Sequence, residues 1–477
     1  MKNKAWPFAY LFIIVLVNVA GFLSITFLIN KSNNLYEAFS ICSIICLCSF
    51  VIELIAMLIL LTKKVDYYCF FAVSFILFHF GQFFLYGLNF KSDYFYVLKY
   101  DITLVLDTLK YQFLAVGALF VAAFFGHKIK PVSFVSINKT SDSSIYQIAK
   151  IGFAISSLVV IPLTVLRASI YLSSRYLAVI SFNESLPSII TIFSYFYVPF
   201  GTLAYIYSST RKQKLFYLIA LTFYSFVMTL IGDRTIGLAG IIICIILFTR
   251  FGVEKKKAGA ITRVILLLFS FLVICALSVV VRDTREGGSF AFSSVANIIG
   301  ETIYELGFSF FPLVLIMNVC PSNHSFLFGR SYFYSILAGF IPSSIDLTGT
   351  VKTWNTYSVE PLKWIETDYD YGFGTGLSLS AESYANFSWF GVIALLVVFV
   401  LLIKLFKHSK ENRFSIYSST ILLFELFTLP RRNFYYVINN FFYCVVVIGI
   451  IILLFGSKKQ SSTNLTANRR YGKIKNI

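Results

Sequence analysis

The sequence predicts an all-α polytopic membrane protein, with about 12 transmembrane helices and one large outer loop carrying short or re-entrant helices. Three observations predict it. Apolar runs of membrane-spanning length recur through most of the chain. The composition is 58% apolar and 13% charged, with a mean hydropathy of +0.80. Basic residues are dense in alternate connections between the runs and sparse in the others, as the positive-inside rule requires of a multi-pass protein.

Taken in order, Met1-Lys-Asn-Lys4 precedes an apolar run to Ile29 that lacks a small-residue cleavage site, so this run is a first span and not a removed signal. Further spans are expected at 38–61, 67–88, 110–126, 148–166, 188–208, 215–232, 235–250, 262–281, 387–406, 414–429 and 434–455. The connections on one side hold 26 of the 40 basic residues, including Lys63-Lys64, Lys255 to Lys257 and six after Gly456. That side is predicted to be cytoplasmic, with both termini on it. The expected organisation is an N-terminal bundle over 1–281, a large outer loop over 282–386, C-terminal spans over 387–456 and a basic tail over 457–477. The loop holds ten of the 22 acidic residues and two apolar runs, Ile303 to Cys320 and Ser331 to Ile341. The second run is too short to cross alone, so the pair makes either a partly inserted hairpin or two extra crossings, for 14 in all.

The net charge of +18 follows the membrane topology, which argues against nucleic acid as a partner and for the lipid bilayer. The eight cysteines show neither metal spacing nor a disulfide framework. Asp368 and Asp370 have an Asp-x-Asp spacing, but two carboxylates are fewer ligands than an oxygen-rich metal site needs. No metal and no cofactor are predicted.

The stretch richest in chemistry runs from Asp368 to Gly391. Gly372, Gly374 and Gly376 alternate ahead of a helix expected to start at Ser378 or Ser380 and to run on to Phe406. Ser378, Glu382 and Asn386 recur every four residues and so line one helix face. A Gly-rich loop at a helix start is a ready anion site, and a Glu beside it can accept a proton. The alternative makes the glycines a turn and Tyr384, Asn386 and Trp389 an interfacial belt. Arginines and lysines also divide between the faces. The outer side has 6 Lys and 8 Arg, against 20 Lys and 6 Arg on the cytoplasmic side. Guanidinium groups suit bidentate binding of phosphate. Arg234 in Gly232-Asp-Arg234-Thr, Arg282, Arg330 in Gly329-Arg-Ser-Tyr332, and Arg431-Arg432 after Pro430 are the candidates. His324 can act as a base but is also explained as a bystander. Glu53, His79 and Glu425 fall inside apolar runs, where a buried partner is expected.

The run Gly374-x-Gly376-x-Ser378-x-x-Ala381-Glu382-x-Tyr384-x-Asn386-Phe387, followed by Gly391 and a long apolar helix, resembles the signature of Wzy-type oligosaccharide repeat-unit polymerases of O-antigen and capsule assembly. Gly232-Asp-Arg234, Phe328-Gly329-Arg330-Ser-Tyr332 and Arg431-Arg432-Asn-Phe434 fall in that family's order, so the likeness covers roughly residues 225 to 455. Two positions depart from it: Ser388 stands where a glycine follows Asn-Phe, and Arg431-Arg432 replaces Arg-Gly. The resemblance implies a fold like the C-type membrane glycosyltransferases. It implies transfer of a glycan from polyprenyl diphosphate to another lipid-linked repeat unit at the outer face of the inner membrane, with a chain-length regulator protein as a partner. On this reading Arg234, Arg282, Arg330 and Arg431 or Arg432 bind diphosphate, Gly374, Gly376, Tyr384 and Asn386 line the substrate site, and Glu382 is the base or positions the acceptor. An O-antigen ligase of the same superfamily and a lipid-linked oligosaccharide flippase are the alternatives.

Overall fold

A computed structural model describes residues 6–62, 67–90, 100–128, 142–251, 295–341, 346, 348–369, 376–406, 413–428 and 432–456. The described chain is helical, with no strand among the described residues. Nine helices among those residues are long and apolar enough to cross a membrane. The structure divides into two compact units.

The first unit draws on the described residues within Met1–Val132, Phe271–His408 and Leu422–Asn439. Its helices are α1 (Trp6–Lys31), α2 (Leu35–Ala56, continuing as a π-helix over Met57–Thr62), α3 (Tyr67–Gly87) and α4 (Ile102–Lys128). The second unit lies within Ser133–Ser270, Ser409–Ile421 and Asn440–Ile477. It contains α5 (Asp142–Ser185), α6 (Ser188–Tyr195), α7 (Tyr197–Tyr207), α8 (Arg211–Leu230) and α9 (Arg234–Phe251). The chain then returns to the first unit with α10 (Val295–Leu306), α11 (Phe311–Val319), α12 (Arg330–Phe340), α13 (Thr350–Ser358), α14 (Glu360–Asp368), α15 (Leu379–Phe387) and α16 (Gly391–Phe406). α17 (Arg413–Thr428) belongs to the second unit up to Ile421 and to the first from Leu422, α18 (Phe434–Phe441) belongs to the first up to Asn439, and α19 (Ile448–Gly456) belongs to the second.

Local chemistry sets many of these ends. The Asn34 side chain accepts from the Tyr36 and Glu37 backbone N–H groups at the start of α2, and Thr210 and Gln213 form a reciprocal capping box at α8. Several boundaries differ from the hydropathy reading. α4 begins at Ile102, where Asp101 accepts the Thr103 N–H at 2.9 Å, so residues 102–110 are helix and not loop. α5 continues through the expected connection at 167–187 as far as Ser185. At about 1.5 Å per residue its 44 residues extend about 66 Å, more than twice the apolar thickness of a bilayer. The run at 188–208 is two helices separated by a single turn residue, Phe196. The expected span at 262–281 lies outside the described residues.

The run from Ile299 to Val319 is itself long and apolar enough to cross a membrane, and its arm over Phe311 to Ile316 is wholly buried. It packs on α3 backbone to backbone. A methyl at Gly81 would lie 2.5 Å from the Ile303 carbonyl oxygen, and one at Gly307 would lie 2.4 Å from the Gln82 nitrogen, so only glycine permits this approach. Aromatic pairs such as Phe83–Phe310 at 4.6 Å and Phe50–Phe80 at 4.7 Å fill the surrounding core. Two buried polar groups find partners within this unit: Asn18 donates to Glu53, and His79 hydrogen-bonds the Phe75 carbonyl at 2.9 Å.

Candidate functional site

Ser378 opens α15. Its backbone is extended (φ −102, ψ 154), and its hydroxyl accepts the Ala381 N–H at 3.2 Å, the geometry of an N-cap. Gly376, two residues earlier, has φ +70, a conformation that glycine adopts without cost. Gly374 lies outside the described residues. Four-residue spacing then puts Ser378, Glu382 and Asn386 on one face, and all three have no exposed surface. The motif helix is therefore buried in protein, and Tyr384 and Asn386 do not form an interfacial belt; Trp389 alone of that set stays open, at 39%.

Glu382 holds two distant segments. One carboxylate oxygen accepts from the Ser331 hydroxyl at 2.8 Å, and the other accepts the Phe434 backbone N–H at 2.7 Å. Asn386 completes the join: its amide nitrogen donates to Ser331 Oγ and to the Glu382 carbonyl, both at 2.8 Å, while its oxygen accepts the Gly329 N–H at 3.0 Å. The Leu327 and Phe328 N–H groups donate to the Ala385 and Asn386 carbonyls at 3.0 and 2.9 Å. Residues 327–331 are thereby fastened along the end of α15. Gly329 takes φ +88 to turn the chain into α12, and Tyr332 packs between Phe387 at 6.2 Å and Phe434 at 5.3 Å.

Arg330 precedes Ser331, and Arg432 lies two residues before Phe434. Glu382 therefore fixes the backbone beside each of two arginines that are about a hundred positions apart in sequence. The guanidinium groups themselves do not meet the Glu382 carboxylate. Arg330 forms an ion pair with Glu360 and lies over the Tyr357 ring at 5.4 Å, while Arg432 lies over the Tyr436 ring at 5.3 Å. The neighbouring elements carry buried polar atoms without a hydrogen-bond partner among the described residues: Tyr332 Oη, Ser335 Oγ, Asn355 Oδ1, Glu360 Oε2 and Asn433 Nδ2. Such atoms are costly to bury in an apolar setting and mark a region suited to a polar ligand.

The other expected site residues are placed differently. Tyr384 is 8% exposed and turns to the opposite side of α15, edge-on to Tyr111 at 5.4 Å and to Phe326 at 6.0 Å. Its place is packing against α4, away from the Glu382 cluster. Arg234 is the first residue of α9 in the second unit, behind Gly232 at φ +101 and Asp233, whose carboxylate accepts the Ile236 N–H at 3.2 Å. The Arg234 side chain, and Arg282 and Arg431 entirely, lie outside the described residues. The helix expected to run unbroken from Ser378 to Phe406 turns at Ser388, which has φ +54 and ψ −139. This is the position at which the resemblance expects glycine, and the backbone shows why. Sequence reasoning missed Ser331 and the Phe434 N–H as partners of Glu382. Only the adjacency of Ser331 to Arg330 pointed there.

Comparison with known proteins gives one result. A family model described as O-antigen polysaccharide polymerase Wzy matches residues 8–462, nearly the whole chain. No curated protein and no solved structure matches.

Proposed function

The chain belongs to the O-antigen polysaccharide polymerase Wzy family, and from that premise we propose that it joins polyprenyl-diphosphate-linked oligosaccharide repeat units at the outer face of the inner membrane. The family makes it a multi-pass inner-membrane polymerase acting on lipid-linked oligosaccharide, and favours polymerisation over ligation or flipping. The termini face the cytoplasm, following the lysine-rich connections. A chain-length regulator protein is the partner that this activity implies.

The reaction is a single displacement. An acceptor hydroxyl attacks the anomeric carbon of the donor glycan, the bond from that carbon to the diphosphate oxygen breaks, and the electron pair leaves on the diphosphate. Attack opposite the leaving group inverts the centre. The leaving charge is neutralised by guanidinium groups, Arg330 and Arg432 foremost, with Arg234, Arg282 and Arg431 as further candidates. No metal step is needed. Asp368 of the Asp-x-Asp pair is already engaged, with one oxygen accepting from Asn323 at 3.2 Å and lying 3.1 Å from His324. Glu382 acts as a positioning residue, because both of its oxygens are committed to fixing the arginine-bearing segments.

The observation that carries this site is the double attachment of Glu382 to Ser331 and Phe434. Purified protein in vesicles with lipid-linked repeat units should yield a ladder of repeat multiples, and Arg330→Ala and Arg432→Ala should each weaken it. Transfer of single units to another lipid, or no extension by the wild type, would overturn the reading.

A further inference from the structure

If Glu382 is committed to positioning, the acceptor hydroxyl needs another group to take its proton. Between α11 and α12, close to where the chain joins α15, His324 is held from two sides. Its ring stacks on Trp364 of α14 with centroids 4.7 Å apart and planes 3° from parallel. Its Nε2 lies 3.1 Å from Asp368 Oδ2. An ionised carboxylate only accepts, so Nε2 carries the hydrogen and Nδ1 keeps a lone pair. Asp368 is fixed in turn by Asn323 at 3.2 Å and by the Thr367 hydroxyl at 3.3 Å. The His324 side chain is 25% exposed and the Trp364 residue is 7% exposed, so the imidazole is rigidly mounted and still open to solvent. A ring oriented by a carboxylate through one nitrogen, with the other nitrogen open, is the arrangement of a general base.

We propose that His324, oriented by Asp368 and Trp364, takes the proton of the acceptor hydroxyl in glycosyl transfer. The inference rests on the polymerase reading above. The hydroxyl oxygen bonds to the anomeric carbon, the diphosphate departs with the electron pair, and the proton passes to His324 Nδ1 and from there to water. Burial works against ionisation of Asp368. The hydrogen bond from Asn323, the hydrogen bond of His324 with its charge when the ring is protonated, and the Thr367 hydroxyl outweigh it and hold the carboxyl below its ordinary range, so the orienting charge persists. Of the other charged groups on α14, Glu360 is engaged by Arg330, and Lys363 and Glu366 do not meet the imidazole; on the histidine's own segment the nearest titratable group is Cys320.

The test uses full-length protein in vesicles with lipid-linked repeat units, measuring extension rate, binding of the lipid-linked unit and the pH profile. His324→Gln keeps a donor for Asp368 and removes the base. It should retain substrate binding, lose about 10²–10⁴-fold in extension rate, lose the acid limb of the profile and recover part of the rate with added imidazole. Asp368→Asn should move the acid limb to lower pH. Extension by His324→Gln at the wild-type rate would overturn the proposal, as would a loss that imidazole does not restore together with an unmoved limb in Asp368→Asn. If wild type itself fails to extend, the polymerase reading fails. If Arg330→Ala loses binding while His324→Gln behaves as wild type, only the histidine assignment fails.

Discussion

Glu382→Gln separates positioning from proton transfer. In the native structure the carboxylate accepts two hydrogen bonds in a fully buried setting, at 2.8 and 2.7 Å. Each bond to a charged acceptor contributes about 1.5–3 kcal/mol, against about 0.5–1.5 kcal/mol for a neutral one. The amide can keep its oxygen toward the Phe434 N–H and turn its NH2 toward Ser331 Oγ. That oxygen already accepts from Asn386, so the Ser331 proton then needs a new acceptor. The expected loss is about 1–3 kcal/mol in the attachment of the Arg330 and Arg432 segments. As about 1.4 kcal/mol corresponds to a factor of ten, kcat/KM should fall about 10- to 100-fold, with KM for the lipid-linked unit rising and thermal stability falling. Initial extension rates over a range of donor concentration, with thermal unfolding in detergent, supply both readouts. A fall in kcat alone of 10³-fold or more, with KM and stability unchanged, would refute the positioning role and restore Glu382 as the base.

Four further outcomes follow from particular contacts. Arg330→Ala should change stability by less than about 1 kcal/mol, because the Arg330 side chain is 45% exposed and its pair with Glu360 is correspondingly screened; titration should instead show weaker binding of the lipid-linked unit. Gly81→Ala should prevent accumulation of folded protein in membranes, since the added methyl meets the Ile303 carbonyl oxygen at 2.5 Å and a backbone oxygen cannot rotate aside. Ser388→Gly should raise the unfolding temperature by relieving a positive φ that costs a non-glycine residue about 1–3 kcal/mol; an unchanged or lower temperature would contradict it. Asp368, depressed in the folded state, contributes stability that is complete above the ordinary carboxyl range and is lost as pH falls through its lower folded value. Protease resistance of the 320–369 region should therefore be flat from about pH 5 to 8 and fail only in stronger acid, and Asp368→Asn should abolish that acid step.

What the sequence determined by itself is what neighbours along the chain can decide. Hydropathy locates α1, α2 and α3 to within a few residues, because burial in lipid acts on each segment separately. The Ser378–Glu382–Asn386 face is fixed by helical spacing alone, while the choice of Ser378 over Ser380 as the cap came from the structure. Tertiary structure decided the rest. Helical ends such as 102–110 and 167–185 have their apolar residues interrupted by charged ones, Asp107 and Lys110 in the first and Arg167, Arg175 and Glu184 in the second, so hydropathy alone stops short of them, and the turn at Ser388 leaves the apolar pattern unbroken. Nothing local shows that Glu382 would meet Ser331 and the Phe434 N–H, that Tyr384 would turn to Tyr111, or that a loop histidine would be stacked on Trp364 and held by Asp368. Those pairings join residues from about forty to more than two hundred positions apart, and they are chosen by how the packed helices satisfy their buried polar groups and seat their rings.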